Sequence, residues 1–177
     1  MRRQHPLTGA VALAFCLLVL TPFVARAQEG ETFSDPNVDF TFELPSPAWR
    51  LTARPDSLRA TVEYVNGDRS DGYLRVRKEP AERSVTAEDL ARQDRDQKLR
   101  YRPGYVEGKQ ERFAGRLSGT VVSYEFTAGG KPMTGRVYYL QAPDGSIYTL
   151  HFTGARDKLP GIRNQTDSIA RSLRQKG

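Results

Sequence analysis

Cysteine and histidine are almost missing from this chain of 177 residues: Cys16, His5 and His151 are all it has. Cys16 falls in the segment assigned below to a cleaved signal, so no disulfide can staple the remainder and packing alone must stabilise it. One remaining histidine and no cysteine leave zinc only carboxylate partners, an unusual set. A hydrolase triad would have His151 as its sole base, while Ser123 and Ser146 stand in contexts unlike a strained nucleophile elbow. Gly129-Gly130-Lys131 lacks the first half of a phosphate-binding loop, and Asp68 to Gly72 lacks the spaced acceptors of a calcium loop. We therefore assign no catalytic, cofactor-binding or metal-ligating residue, and expect no cofactor and no enzymatic activity.

Long apolar runs are equally scarce. The only one, Ala10 to Leu20, is too short to span a bilayer, follows Arg2 and Arg3, and precedes Ala25-Arg26-Ala27, an A-x-A cleavage pattern. Residues 1–27 read as a secretory signal cut between Ala27 and Gln28, with no transmembrane anchor after processing. His5 and Pro6 follow the arginine pair where a twin-arginine signal wants apolar residues, which favours general secretion. Phe15 precedes Cys16 where a lipoprotein signal wants a small residue.

The mature part of 177 − 27 = 150 residues can support one core and one domain. Losing Arg2, Arg3 and Arg26 leaves 24 basic against 21 acidic residues, a net +3. That is too little to argue for nucleic acid.

Gln28 to Asn37 is polar and broken by Asp35-Pro36, and reads as a flexible leader to a single domain over 38–177. Val38 to Leu44 alternates with period two and stops at Pro45-Ser46-Pro47, a strand with a hard end. Trp49 to Thr52 is a further short strand, with Trp49 as core filler. Leu58 to Val65 and Gly72 to Val76 flank a turn-rich loop and form a hairpin. On its outgoing strand Arg75 and Arg77 share one face. That face reads as a solvated edge, the other reading being a stripe for an anionic ligand.

Thr86-Ala87-Glu88-Asp89 opens a helix with a near capping box. Glu88, Arg92, Asp96 and Arg100, and Asp94 with Lys98, recur at spacing four and read as solvated ion pairs. Ala87, Leu90 and Ala91, with Leu99 or Tyr101, form a thin buried side, so this helix is the element expected to move. Pro103-Gly104 ends it. Tyr105 to Phe113, Leu117 to Thr127 and Met133 to Gln141 are strands on short connections, hence an antiparallel meander.

Met133 to Leu173 is the clearest folding unit. Val137 to Leu140 and Ile147 to Phe152 flank Pro143-Asp144-Gly145-Ser146, a hairpin turn whose loop has two or three residues. Both faces of these strands are apolar or aromatic, so the sheet needs cover on both sides. Asp157 is placed to cap a helix with Pro160 in its first turn. Leu159, Ile162, Thr166, Ile169 and Leu173 draw its apolar stripe, with Arg163, Asp167 and Arg171 spaced four apart outside.

F-x-F-x-L-P at Phe40 to Pro45, Trp49, the hairpins, the central helix, the meander and I-Y-T-L-H-F-T-G before a terminal helix together resemble the PsbP-like superfamily, including the DcrB-like proteins of bacterial envelopes. The resemblance covers about Val38 to Arg174. It implies an α+β fold, an α/β/α sandwich whose central antiparallel sheet has about six to eight strands between a central and a C-terminal helix. It also implies an accessory or binding role without known catalysis, and carries no functional residue over. The expectation is an extracytoplasmic, periplasmic or secreted, binding or accessory module of the cell envelope. Its partner would be a protein or envelope component; the alternative is a carrier of a small molecule or lipid between the central helix and the sheet.

Overall fold

The computed structural model describes residues 30–80 and 84–177. The segment read as a secretory signal, with Cys16, and the expected cleavage residues Ala25, Ala27 and Gln28 lie outside the described residues. Five strands come first: β1 Glu31–Ser34, β2 Phe40–Leu44, β3 Trp49–Ala53, β4 Thr61–Asn66 and β5 Tyr73–Glu79. Helix α1, Ala87–Gln97, runs into a 3-10 turn, Leu99–Tyr101. The meander follows as β6 Val106–Ala114, β7 Ser118–Ala128, β8 Lys131–Gln141 and β9 Ile147–Ala155. A second 3-10 turn, Leu159–Ile162, leads into α2, Arg163–Ser172, and β10, Arg174–Gln175, closes the chain.

The fold is α+β. Seven strands form one antiparallel sheet in the order β3-β4-β5-β9-β8-β7-β6, and β1-β2-β10 form a second, small sheet. Period-two alternation sorts the large sheet's side chains into two cores. On one face Tyr64, Leu74, Tyr138, Tyr148 and Phe152 pack with Phe40 and Phe42 of the small sheet and with Ile169 and Leu173 of the α2 stripe. On the other, Val122, Tyr124, Val137 and Tyr139 pack with Ala87, Leu90, Ala91 and Leu99. Helix α1 lies mainly over β7 and β8. Among the described residues no helix has its main packing on the β4, β5 and β9 part of that face.

Several local expectations need correction. The leader does not stay free through Asn37: β1 pairs with β2, and the buried Phe33 ring stacks on Phe42 at 4.9 Å and meets Tyr64 edge-on. A single aromatic in a polar tetrapeptide has no period of its own; the β2 edge supplies the strand. Leu58 is 92% exposed and outside β4, because Asp56 accepts bonds from the Leu58 and Arg59 amides and makes a turn there. Asp157 caps no helix. A 3-10 turn containing Pro160 intervenes, and the first residue flanking α2 is Ile162, without a side-chain cap.

The open hairpin register resolves to the longer loop. The Ala142 amide bonds the Ser146 carbonyl, enclosing Pro143, Asp144 and a Gly145 at φ 88°. Thr86 does form a capping box with Asp89. Asp94, expected on the solvated side, is instead buried and accepts a bond from the Tyr139 hydroxyl. Asp167 likewise reaches inward to Arg136 and Tyr138 rather than along its own helix, and Arg163 faces Glu111 at 3.6 Å.

Candidate functional site

Strand β5 turns Tyr73, Arg75 and Arg77 toward the face that α1 leaves open. Its register sets Arg75 opposite His151 and Arg77 opposite Thr149 on β9. β5 is an interior strand, flanked by β4 and β9, so the two arginines do not stand on a solvated edge as expected. They form the floor of a groove.

The groove's far wall is built by the turn after α1. The Arg102 amide bonds the Leu99 carbonyl, and the Thr127 amide bonds Pro103, tying the turn to β7. Arg102 then lies over Phe126 at 4.6 Å and Tyr124 at 5.7 Å, a cation over two aromatic faces. Tyr124 can extend toward β9 because Gly135 of β8 lies beneath its ring: a Cβ there would come within 2.2 Å of the ring. Its hydroxyl is hydrogen-bonded to His151 Nε2 at 2.7 Å.

Arg75, Arg77, Lys98, Arg102, Tyr139 and His151 bound a cavity of about 250 Å³. A neighbouring cavity of about 460 Å³ shares Arg75, Arg102 and His151 and adds an apolar wall of Tyr73, Phe126 and Met133. Arg69 and Lys131 also line it.

Carboxylates hold most of these cations in place. Arg75 donates to Glu63 at 3.2 Å, Arg77 to Glu79 at 2.6 Å, and Lys98 to Asp94. Glu79 also accepts the Thr149 hydroxyl at 2.7 Å. Arg102 and Lys131 have no carboxylate partner among the described residues.

Enclosure, and then the charges of Arg102, Arg75 and Arg77, push His151 down to about 3. It is a neutral imidazole at any ordinary pH. Burial raises Tyr124 to about 12, partly opposed by Arg102. Tyr139 is driven well above the usual phenol range, first by burial and then by the Asp94 charge.

Among the described residues no three His, Cys, Asp or Glu side chains gather to hold a metal ion, and no helix is long and apolar enough to cross a membrane. Ser146 is hydrogen-bonded to Asp144 and Ser123 to Lys109, so neither hydroxyl is joined to His151. Lys176 spends its ammonium on the Asp35 and Val38 carbonyls. Trp49 is buried, with its indole donating to Gln165. Sequence reasoning identified the shared face of Arg75 and Arg77 and the strand position of His151. It missed Lys98, Arg102 and Tyr124, whose meeting depends on the turn after α1 and on a ring crossing a glycine.

No family model and no curated protein sequence matches the chain. Solved structures do. LpqN of Mycobacterium tuberculosis, described as involved in cell envelope biogenesis, shares 15% identity at TM-score 0.53, over 86% of this chain and 88% of that one. Cyanobacterial PsbP from Synechocystis sp. PCC 6803 shares 16% at TM-score 0.56, over 89% and 98%. A Bacteroides thetaiotaomicron protein shares 13% at TM-score 0.58, over 84% of this chain; this chain spans about half the length of that protein, 49%. These likenesses establish a PsbP-like fold.

Proposed function

We propose that this PsbP-like chain is an exported, non-catalytic accessory module of the cell envelope, and that it binds its partner or ligand in the groove beside α1. The convergence of Arg75, Arg77, Lys98 and Arg102 around His151, beside α1 rather than beneath it, carries this reading. Export is supported by the basic, apolar and A-x-A succession of residues 1–27. An envelope role is in keeping with the described role of LpqN, a protein of similar fold. The absence of catalysis is supported by His151, which at a pKa of about 3 is a feeble general base near neutrality.

A photo-crosslinking residue at Thr153, on the groove wall, should give adducts in the cell envelope that the same residue at Asn164, exposed on α2, does not. Equal labelling at both positions, or none at Thr153, would overturn the groove as the binding site. N-terminal sequencing of the exported protein should begin at Gln28.

The apolar wall of Tyr73, Phe126 and Met133 favours a second reading, a carrier of a small molecule or lipid. The space lies beside α1 and its turn; beneath the helix the packing is filled by Leu90, Ala91, Leu99 and Tyr139. Native mass spectrometry of freshly purified protein separates the two readings: a co-purifying small ligand supports the carrier, and its absence supports the docking module.

A further inference from the structure

We propose that the groove receives a phosphate-bearing molecule with a small apolar or aromatic portion, its phosphoryl oxygens against Arg75, Arg77 and Arg102 and its apolar part along Tyr73, Phe126 and Met133. This rests on the groove being the binding site and adds the chemistry of what it holds.

The charge pattern calls for an anion. Glu63, Glu79 and Asp94 each answer one of Arg75, Arg77 and Lys98, and among the described residues Arg102 is left over. Lys131 adds a second cation without a carboxylate partner among the described residues, in the adjoining cavity. Placing like charges around one small space raises the free energy of the empty protein, and an anion relieves it. The depressed pKa of His151, with Arg102, Arg75 and Arg77 among its causes, registers the same positive field.

The donor set favours a phosphoryl group over a carboxylate. Three guanidinium groups on one cavity offer more N–H donors than two carboxylate oxygens can accept, whereas a phosphate monoester brings three terminal oxygens and a charge of about −1.5 to −2. The donors are also held in advance. Arg75 is fixed by Glu63 and the Tyr73 hydroxyl, Arg77 by Glu79, and Arg102 by its seat on Phe126, so little side-chain freedom remains to be lost on binding. His151, neutral and already bonded to Tyr124, adds a polar ring atom without adding charge.

An apolar extension follows from continuity. Arg75, Arg102 and His151 line both cavities, so a ligand anchored on them in the smaller space has the wall of the larger one beside it. Inorganic phosphate alone would leave that wall unused.

Titration calorimetry of the full mature protein with phenyl phosphate, inorganic phosphate, benzoate and benzyl alcohol tests the assignment. Phenyl phosphate should bind about tenfold or more tightly than each of the other three. Arg102→Gln should weaken phenyl phosphate by about tenfold, while Arg163→Gln, on the opposite face of the sheet, should not change it. Sedimentation with phosphatidylcholine vesicles, with and without phosphatidic acid, separates the sources. Arg102-dependent binding to the acidic vesicles assigns a lipid headgroup; phenyl phosphate binding without vesicle binding assigns a soluble phosphate ester. Absence of phosphate binding, equal binding of benzyl alcohol, or an equal loss in Arg163→Gln overturns the inference. If Thr153 still crosslinks a partner in that case, the groove remains a binding site and only the phosphate chemistry falls.

Discussion

His151→Gln removes the imidazole at the groove floor, and the sign of its effect on stability follows from the two protonation states. The folded protein holds His151 near 3, whereas the unfolded chain holds it near the ordinary value of about 6.5. Below about 6.5 the unfolded state therefore takes up the proton first, and the wild type loses stability progressively as pH falls toward 3, by at most about 1.4 kcal/mol per pH unit. Above about pH 7 this group contributes no slope. Urea denaturation should show the wild type falling more steeply than His151→Gln between about pH 6 and pH 4; parallel curves would refute the enclosed, neutral histidine. Gly135→Ala tests the neighbouring contact. The added methyl group meets the Tyr124 ring at 2.2 to 2.5 Å, so the ring must move, with a loss of roughly 1 to 3 kcal/mol and of the bond to His151. At this scale the sequence showed residue types and strand faces. A tyrosine reaching across one strand to the next is set by register, which a single sequence leaves open.

Helix α1 shows what a helical period reveals and how charge can mask it. Ala87, Leu90, Ala91 and Asp94 fall at steps of three and four on one stripe, and all four are buried. Asp94 was assigned to the solvated side because of its charge, although its position put it with the others; the Tyr139 hydroxyl and Lys98 satisfy it there. The capping box was legible because it is local, and Thr86→Ala should cost about 1 kcal/mol in chemical denaturation. In α2 the apolar stripe was legible and Arg163 and Arg171 are exposed as expected, but Asp167 turns inward. Arg136 keeps 12% of its side-chain surface and Asp167 23%, with Tyr138 donating to the same carboxylate. Asp167→Ala leaves Arg136 under cover without its partner and should cost roughly 2 to 3 kcal/mol, somewhat less than a fully buried pair. Arg163→Ala, whose side chain and that of Glu111 are about half exposed, should change stability by less than about 0.5 kcal/mol. Equal losses in the two variants would contradict this geometry.

The β6 to β9 meander was readable because its strands are long, its turns are rich in Gly and Pro, and its faces alternate. The division into two sheets was not, because β1 and β10 are short and polar and become strands only against β2. Phe33→Ala measures the difference: a loose leader would lose nothing, whereas a ring packed on Phe42 and Tyr64 should cost roughly 3 to 4 kcal/mol.

β2 is held on one side by β1 and on the other by β10, and Lys176 reaches back 141 positions to the Asp35 carbonyl. A polypeptide delivered amino end first, from a ribosome or through a translocation pore, cannot finish this seam until β10 arrives. In the interval Phe40 and Phe42 lack the cover that Ile169, Ala170 and Leu173 bring. Nascent chains at that stage should therefore be the form most in need of a chaperone and most open to proteolysis.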